Sequence, residues 1–524
     1  MPTEGPAITT QFLNNLEESV SAHIRRVEKV LDATKFDQRL AEMVEQVRRR
    51  PGRPSEISVR AFVVALLVLG FDGREHLIRV VRLLNSLDRK TLKRLGVTRT
   101  TPVTRRQVEN MNRIVILALE AKAQREGKSK WEMLDELSDL LLPATAHVGV
   151  VDTTSIAVDG TSIASWGTRR KGKRSGSNGK RIPTDPDARW RAKGENSWRR
   201  PVFGYEVTGA VTVPEIDGPN VPLAMLSMRF RPANTTPTLM ALATVNAVAK
   251  HQGRLGDVLI DLEYTKRVDG ADFLLPIRAL GGEPVFDLMP NQRGARGTVR
   301  GAVIVDGQPF SPSLPRSLYL IPVPPVNATK EDRVDYQRKI AIRAQYALQT
   351  HGSRKRDGQQ VYACPAAVGK VTCPLMTPRR PVKRGTLPVF YNPAVAVAGT
   401  VCANAYTTFP ATDLPLSQRE LYGSKDWFFS YSRRNRVEGF FGNTKNEASE
   451  NLRRGSIRVR TGMKTGFLVL MILAATNLRL AMRWDVNGGA PARAKMGRPR
   501  KKTLLEYADV AMRAGFSNAP PVVA

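Results

Sequence analysis

Apolar residues recur every three or four positions through most of the first 140 residues, and this spacing is typical of amphipathic α-helices. In residues 10–48 they are interleaved with charged residues, and a basic Pro/Gly stretch follows. Residues 57–140 continue with further helical patterns, including the apolar run AFVVALLVLGF. That run is shorter than the roughly 18 residues needed to cross a bilayer, so it is predicted to be a buried core helix. We expect residues 1–143 to form an all-helical N-terminal domain.

The pattern changes to that of β-strands after residue 144. The run HVGVVDTTSIAVDG is apolar, β-branched and followed by acidic residues. Such a run is typical of a central strand that is covered on both faces. Strands are also predicted in PVFGYEVTGAVTV, PLAMLSMRF and GDVLIDLEY, with a helix before the last of them. Residues 144–289 are therefore expected to form the first part of an α/β core.

A third texture begins at residue 290. Residues 290–425 are rich in Pro, Gly and Val, with short strand-like pieces and one helical stretch, and are interpreted as an inserted domain. Residues 426–485 return to helical patterns, which would complete the α/β core with YSRRNRVEGFFGNTK and the apolar run FLVLMILAA. The remaining residues, 486–524, form a basic tail that is expected to be flexible in part.

The charge of the chain narrows the choice of partner. There are 81 Lys and Arg residues against 48 Asp and Glu, which gives a net charge of +33 and a pI near 10.5. A chain this basic usually meets a polyanion, most often nucleic acid. Residues 168–200 hold twelve of the basic residues and only three acidic ones. This segment is predicted to contact DNA phosphates, and the alternative interpretation is a solvated loop without a partner. The residues of this segment that are predicted to bind DNA are Arg169, Arg170 and Lys171.

A second basic motif lies in the tail. MGRPRKK, at residues 496–502, resembles an AT-hook, in which Arg498 and Arg500 would lie in a narrow minor groove. A short basic tail produces the same letters by chance about as often. Near the first basic segment, Trp166, Trp190 and Trp198 are candidates to stack on bases.

The three cysteines indicate the redox state of the compartment in which the protein works. Cys364, Cys373 and Cys402 cannot form a paired disulfide framework, which favours a reducing compartment. The N-terminal residues show no signal-peptide pattern, so a cytoplasmic location is expected. A zinc site would need a fourth ligand, for which His351 is the nearest candidate. Buried thiols are the preferred interpretation.

Three carboxylates carry the candidate chemistry. Asp152 and Asp261 each end an apolar strand pattern, and Glu438 belongs to a polar stripe at helical spacing. Carboxylates brought together from separate elements can hold two Mg²⁺ ions for phosphodiester chemistry. Asp159 is the alternative to Asp152, and Glu438 has the alternative role of an ordinary helix ion pair. The alternatives to Asp261 are Asp257, Glu263 and Asp269.

The polar stripe matches Y-x2-R-x3-E-x6-K through Tyr431, Arg434, Glu438 and Lys445. This is the signature of bacterial insertion-sequence transposases with an Asp-Asp-Glu triad, and the chain resembles that group. VVDTTSIAVDG and DVLIDLEYTK resemble the segments of the two catalytic aspartates, while DPDARW and FGYEV resemble pieces found between them. The resemblance covers roughly residues 145–275 and 425–480. In some relatives an aromatic residue of the inserted domain stacks on a flipped base while a DNA hairpin forms. Residues 275–425 contain no Trp that could take this role.

The resemblance implies a ribonuclease-H-like core, interrupted by the inserted domain, with Asp152, Asp261 and Glu438 as catalytic metal ligands. It implies Mg²⁺ as the cofactor, with Mn²⁺ as a possible substitute. Tyr431, Arg434 and Lys445 would contact double-stranded DNA, both the terminal repeats of an element and the target. The reaction would be cleavage of the element ends and strand transfer, by a dimer or larger assembly. The alternatives are a DNA-binding protein that no longer cleaves and a nuclease that does not join strands.

Overall fold

The computed structural model describes residues 10–48, 56–71, 77–98, 101–146, 153–167, 183–191, 201–265, 271–325, 327–355, 358–376, 396–445, 452 and 457–486. Its N-terminal region is helical, as expected. The described helices there are α1 Thr10–Thr34, α2 Phe36–Val47, α3 Val59–Gly70, α4 Leu77–Ser86, α5 Arg89–Arg94, α6 Arg105–Arg125 and α7 Lys130–Thr145. Local capping starts α7, because the Ser129 hydroxyl accepts from the Glu132 N–H while the Glu132 carboxylate accepts from Ser129 N.

A six-stranded mixed sheet follows the helical region. Its strands are β1 Ile156–Ala164, β2 Arg189–Arg191, β3 Val202–Thr212, β4 Met225–Pro232, β5 Asp257–Ile260 and β6 Glu283–Val285. Strand β1 is central, antiparallel to β3 on one side and parallel to β5 on the other. Strand β6 continues the parallel side, and both β2 and β4 pair antiparallel with β3. The mixed α/β class agrees with the sequence-based expectation.

Helices cover both faces of the sheet. Val158 and Ile260 face helices α8 Pro237–Gln252 and α9 Ala271–Ala279, in one apolar cluster. Their chain neighbours Ala157 and Leu259 belong to a second cluster with α12 Asn435–Lys445 and α13 Gly462–Val486. Because side chains alternate along a strand, residue 159 of β1 and residue 261 after β5 point toward α12. The face of the sheet that α12 covers therefore carries both aspartates.

Helix α13 is the longest apolar element of the core. Within the described residues it alone is long and apolar enough to cross a membrane, but 89% of its apolar window is buried inside the protein. It packs closely on α7 at Gly466, where an added Cβ would lie 2.4 Å from Leu134 Cδ1. The same apolar cluster runs from α1 through α7 to α13 and the sheet. The predicted role of both apolar runs as buried core helices is confirmed.

A region of smaller sheets separates β6 from the last helices. One sheet contains β7 Ala295–Val299, β8 Ala302–Val305 and β9 Gln308–Phe310, and the other contains β10 Gln349–His351, β11 Gln360–Ala363 and β12 Tyr406–Phe409. Helix α10 Lys330–Ala344 lies between them in the chain, and α11 Lys425–Ser432 follows them. This region has small apolar clusters of its own, and the chain then returns to the main sheet through α12.

Candidate active site

Two aspartates occupy matching positions on adjacent parallel strands. The register pairs Val158 of β1 with Ile260 of β5. Asp159 and Asp261 are the next residues on each strand, so they lie side by side at the same edge. Each carboxylate also accepts a hydrogen bond from the next backbone N–H, at 2.7 Å for Asp159 and 2.8 Å for Asp261.

The guanidinium of Arg434 joins these aspartates to the glutamate of α12. Its Nη1 lies 3.8 Å from Asp159 Oδ2 and 3.9 Å from Asp261 Oδ1. Its Nη2 donates to Glu438 Oε1 at 2.6 Å. Asp261 and Glu438 are separated by 177 residues of sequence, so only the fold brings them together.

Burial and charge have opposite effects on Arg434. Its side chain is 13% exposed, whereas that of Glu438 is 54% exposed. Burial alone would lower the pKa of the Arg434 guanidinium, but the neighbouring Tyr431 and the three carboxylates outweigh burial and raise it. The Nε and Nη1 atoms are buried without a hydrogen-bond partner. The cation is therefore held mainly by charge, on the inner side of a group of carboxylates that opens to solvent.

The signature residues do not share one continuous helix, contrary to the expectation from their spacing. Tyr431 belongs to α11, Arg434 lies in the break after it, and Glu438 and Lys445 belong to α12. The break turns the side chain of Arg433 inward, where it pairs with a buried aspartate of the sheet. Arg434 and Lys445 nevertheless both contact β1, at Asp159 and at Thr161 respectively.

Lys445 and Tyr431 lie at opposite ends of this arrangement. The Lys445 ammonium donates to the Thr161 hydroxyl and to the Ser162 carbonyl at 3.4 Å. It therefore contacts β1 just beyond Asp159. Tyr431 stacks on Trp427 with ring centroids 5.1 Å apart. Burial raises the pKa of Tyr431, so its phenol stays protonated at neutral pH.

A buried tyrosine lies behind the aspartates. Tyr264, three residues after Asp261, is buried, and this burial raises its pKa well above the usual value; the charges of Asp159 and Glu206 add to the rise. Glu206 of β3 is buried and accepts from the Ser162 hydroxyl at 2.7 Å. Sequence reasoning did not select Glu206, although it lies within the FGYEV segment that resembles the transposase pattern.

The alternatives to Asp261 have other partners. Asp257 is buried and paired with two arginines. Glu263 accepts from Arg191 at 2.6 Å. Asp269 lies outside the described residues. Asp261 is thus the aspartate of this strand segment whose carboxylate reaches the Arg434 cluster.

Several predicted site residues fall outside the part of the chain that the structure describes. They are Asp152, Arg169, Arg170, Lys171, Arg498 and Arg500. Trp198 is also outside it. Trp166 and Trp190 are described, and both are partly exposed, with the Arg458 guanidinium 5.5 Å from the Trp166 ring.

The donor set of the cluster suits a hard cation. Asp159, Asp261 and Glu438 offer only carboxylate oxygens, the ligands that Mg²⁺ prefers. In the arrangement described, no three His, Cys, Asp or Glu side chains among the described residues are grouped closely enough to hold a metal ion. The positive charge between these carboxylates is instead the Arg434 guanidinium. The residues thus fit Mg²⁺ in donor chemistry, whereas their arrangement in this structure is organised around the Arg434 guanidinium.

The comparisons with known proteins add no relative. No family model matches the chain, and no curated protein matches it either.

Proposed function

We propose that this chain is a DNA transposase of the Asp-Asp-Glu class, which cleaves the ends of a DNA element and joins them to target DNA. The observation that carries the proposal is the meeting of Asp159, Asp261 and Glu438 at one guanidinium. Two of these carboxylates come from adjacent parallel strands and the third from a helix far along the chain. The Tyr-Arg-Glu-Lys spacing of the signature supports the same assignment.

The strand order also supports a ribonuclease-H-like core. Three antiparallel strands, β1, β3 and β4, precede a helix, and the strands β5 and β6 are then parallel to β1. This is the order expected for that fold. Asp159 on the central strand β1 and Asp261 just after β5 are neighbours just beyond the last paired residues of these two strands, which supports Asp159 as the first aspartate of the triad.

We assign the first catalytic aspartate to Asp159 rather than to Asp152. Asp159 is in register with Asp261, and its carboxylate lies near Arg434. Asp152 precedes β1 by four positions and is outside the described residues. The DTT and VDG segments of the same motif thus contain two candidate aspartates, and the strand register supports the choice of Asp159.

Each group has a role in the proposed reaction. Asp159, Asp261 and Glu438 would hold Mg²⁺, which when bound activates a water or a 3′-hydroxyl and stabilises the leaving oxygen. Arg434 would exchange its contact with the carboxylates for a DNA phosphate. Lys445, anchored near Thr161, would contact the same strand.

Charge-neutral variants test this assignment. Purified protein would be incubated with Mg²⁺ and a supercoiled plasmid that carries the DNA ends flanking its own gene. D159N, D261N and E438Q should each lose cleavage by roughly 1000-fold, since a lost metal ligand removes several kcal/mol of transition-state stabilisation. D152N and the control D335N, on exposed α10, should cleave like the wild type.

The outcomes separate the candidate functions. Loss of cleavage in D152N but not in D159N would refute the assignment of Asp159. Tight binding of the ends without cleavage by any protein, wild type included, would refute a transposase and favour a DNA-binding protein. Cleavage without strand joining would indicate a nuclease.

A further inference from the structure

A buried ion-pair network lies behind the candidate site and takes no part in the proposed chemistry. Its centre is Asp257, the first residue of β5, which is only 2% exposed. Arg419 and Arg433 each place an Nη2 atom 2.5 Å from one of its two carboxylate oxygens. A carboxylate at this depth needs such partners, because an unpaired buried charge is strongly unfavourable.

The network joins two halves of the site that are distant in sequence. Asp257 lies four residues before Asp261 on the same strand segment. Arg433 directly precedes Arg434 and lies five residues before Glu438. Arg433 also donates to the Pro214 carbonyl at 3.0 Å, so it binds the sheet at two points. The Arg433 guanidinium thereby fixes the position of the break between α11 and α12 relative to β5, the strand that Asp261 follows.

The segment that precedes α11 is attached to the same sheet. The Gln418 side chain accepts from Phe286 N and donates to Phe286 O, both at 3.0 Å. It also accepts from Trp427 Nε1 at 3.1 Å. Trp427 in turn stacks on Tyr431. The amide of Gln418 therefore connects the end of β6 to the helix that carries the first signature residue.

A third contact holds α12 itself. Arg436 donates to the carbonyls of Thr212 at 2.9 Å and Val221 at 2.7 Å. Burial lowers the pKa of Arg436 to about 10, so the group remains charged at neutral pH. Arg433 and Arg436 lie on the side of the break that faces β3, whereas Arg434 turns toward the carboxylates. The three arginines thus have different roles: Arg433 and Arg436 attach the segment to the sheet, and Arg434 belongs to the candidate site.

We infer that Asp257, Arg433 and Gln418 are positioning residues that fix α12 so that Glu438 faces Asp159 and Asp261. The catalytic part of this inference rests on the proposed function, whereas the structural part does not. The Arg434–Glu438 contact links neighbours on one short segment and cannot by itself orient that segment on the sheet. The Asp257–Arg433 pair supplies the orientation, because both partners are buried and multiply bonded.

The test compares D257N and R433K with D306N. Asp306 pairs with Arg343 at 2.8 Å, and both side chains are about as buried as those of the Asp257–Arg433 pair, but they lie in the region of smaller sheets. Hydrogen exchange of the amides of residues 435–445 would be followed in all variants. The Mg²⁺ concentration for half-maximal plasmid cleavage, and its rescue by Mn²⁺, would be measured alongside.

D257N and R433K should speed the exchange of the α12 amides and raise the half-maximal Mg²⁺ concentration at least tenfold, with partial rescue by Mn²⁺. D306N should change neither quantity by more than twofold, even if it lowers the midpoint of thermal unfolding as much as D257N and R433K do. Unchanged α12 exchange in D257N and R433K would overturn the inference. Equal effects of D306N would overturn it too, because they would indicate a general loss of stability.

Two controls keep the result interpretable. If D257N does not fold, Q418A replaces it, since that change removes the bonds to Phe286 and Trp427 without leaving a buried charge; it should also speed α12 exchange. If the wild type does not cleave, the proposed function is wrong, but the exchange data still decide whether these residues position α12.

Discussion

Replacing Gly466 by alanine tests the packing of α13 against α7 behind the candidate site. An added Cβ would lie 2.4 Å from Leu134 Cδ1 and 2.8 Å from Phe230 Cδ1. Ordinary carbon contacts begin near 3.4 Å, so the neighbours must move by about 1 Å. Both side chains are fully buried, so they cannot move out into solvent.

The size of the effect follows from two opposing contributions. Overpacking of a buried position costs about 1–3 kcal/mol. Alanine regains about 1 kcal/mol over glycine in a helix interior. The difference is about 0–2 kcal/mol, and we expect the upper half of that range for Gly466 because two side chains must move. The matched control is G439A in α12, where nothing lies within 4 Å of the new Cβ, and this change should be neutral or stabilising.

Thermal unfolding followed by circular dichroism gives the comparison. G466A should unfold at a lower temperature than the wild type, and G439A at the same or a higher temperature. A midpoint for G466A at or above that of G439A would refute the close approach of α13 to α7. It would also place α13 elsewhere in the apolar cluster that supports α12.

Two further predictions concern the thiols and the charge. Burial, with the nearby Cys364 and Cys373, raises the pKa of the Cys402 thiol to about 11. Iodoacetamide labelling of Cys402 in the wild type, followed by mass spectrometry of the peptide that contains it, should therefore increase up to about that pH, and a midpoint near 9 would contradict it. Because the folded thiol holds its proton above the unfolded value of 9, its contribution to stability is complete below pH 9 and falls between pH 9 and 11. Binding of a duplex with the element ends should weaken steeply with salt, with a slope of log K against log salt near −5 for about six phosphate contacts, and a slope near zero would exclude a phosphate interface.

The sequence was sufficient for some parts of the site. An apolar run that ends in an aspartate marked Asp261, and the four-residue signature marked Glu438. Both carboxylates lie in the cluster around Arg434. The helical N-terminal region and the buried apolar helices follow from periodicity alone, because they depend on local spacing.

Other parts depend on contacts that are distant in the chain. The sequence favours Asp152 over Asp159 because Asp152 directly follows the apolar run, but Asp152 lies outside the described residues and β1 begins at Ile156. Which residue lies beside Asp261 depends on pairing with a strand about 100 residues away. The break between α11 and α12 is equally hidden, since it reflects the pairing of Arg433 with buried Asp257.

The attachment of Gln418 to Phe286 has a consequence for the architecture. The chain leaves the main sheet after Val285 and is bound to it again at the same point, more than 130 residues later. The intervening region is therefore a closed loop with its two ends side by side. Because the entropy of closing a loop grows only slowly with its length, that region can be lengthened, shortened or exchanged with little effect on the geometry of the carboxylates. The main sheet and the region of smaller sheets are in this sense parts of one chain that can vary separately.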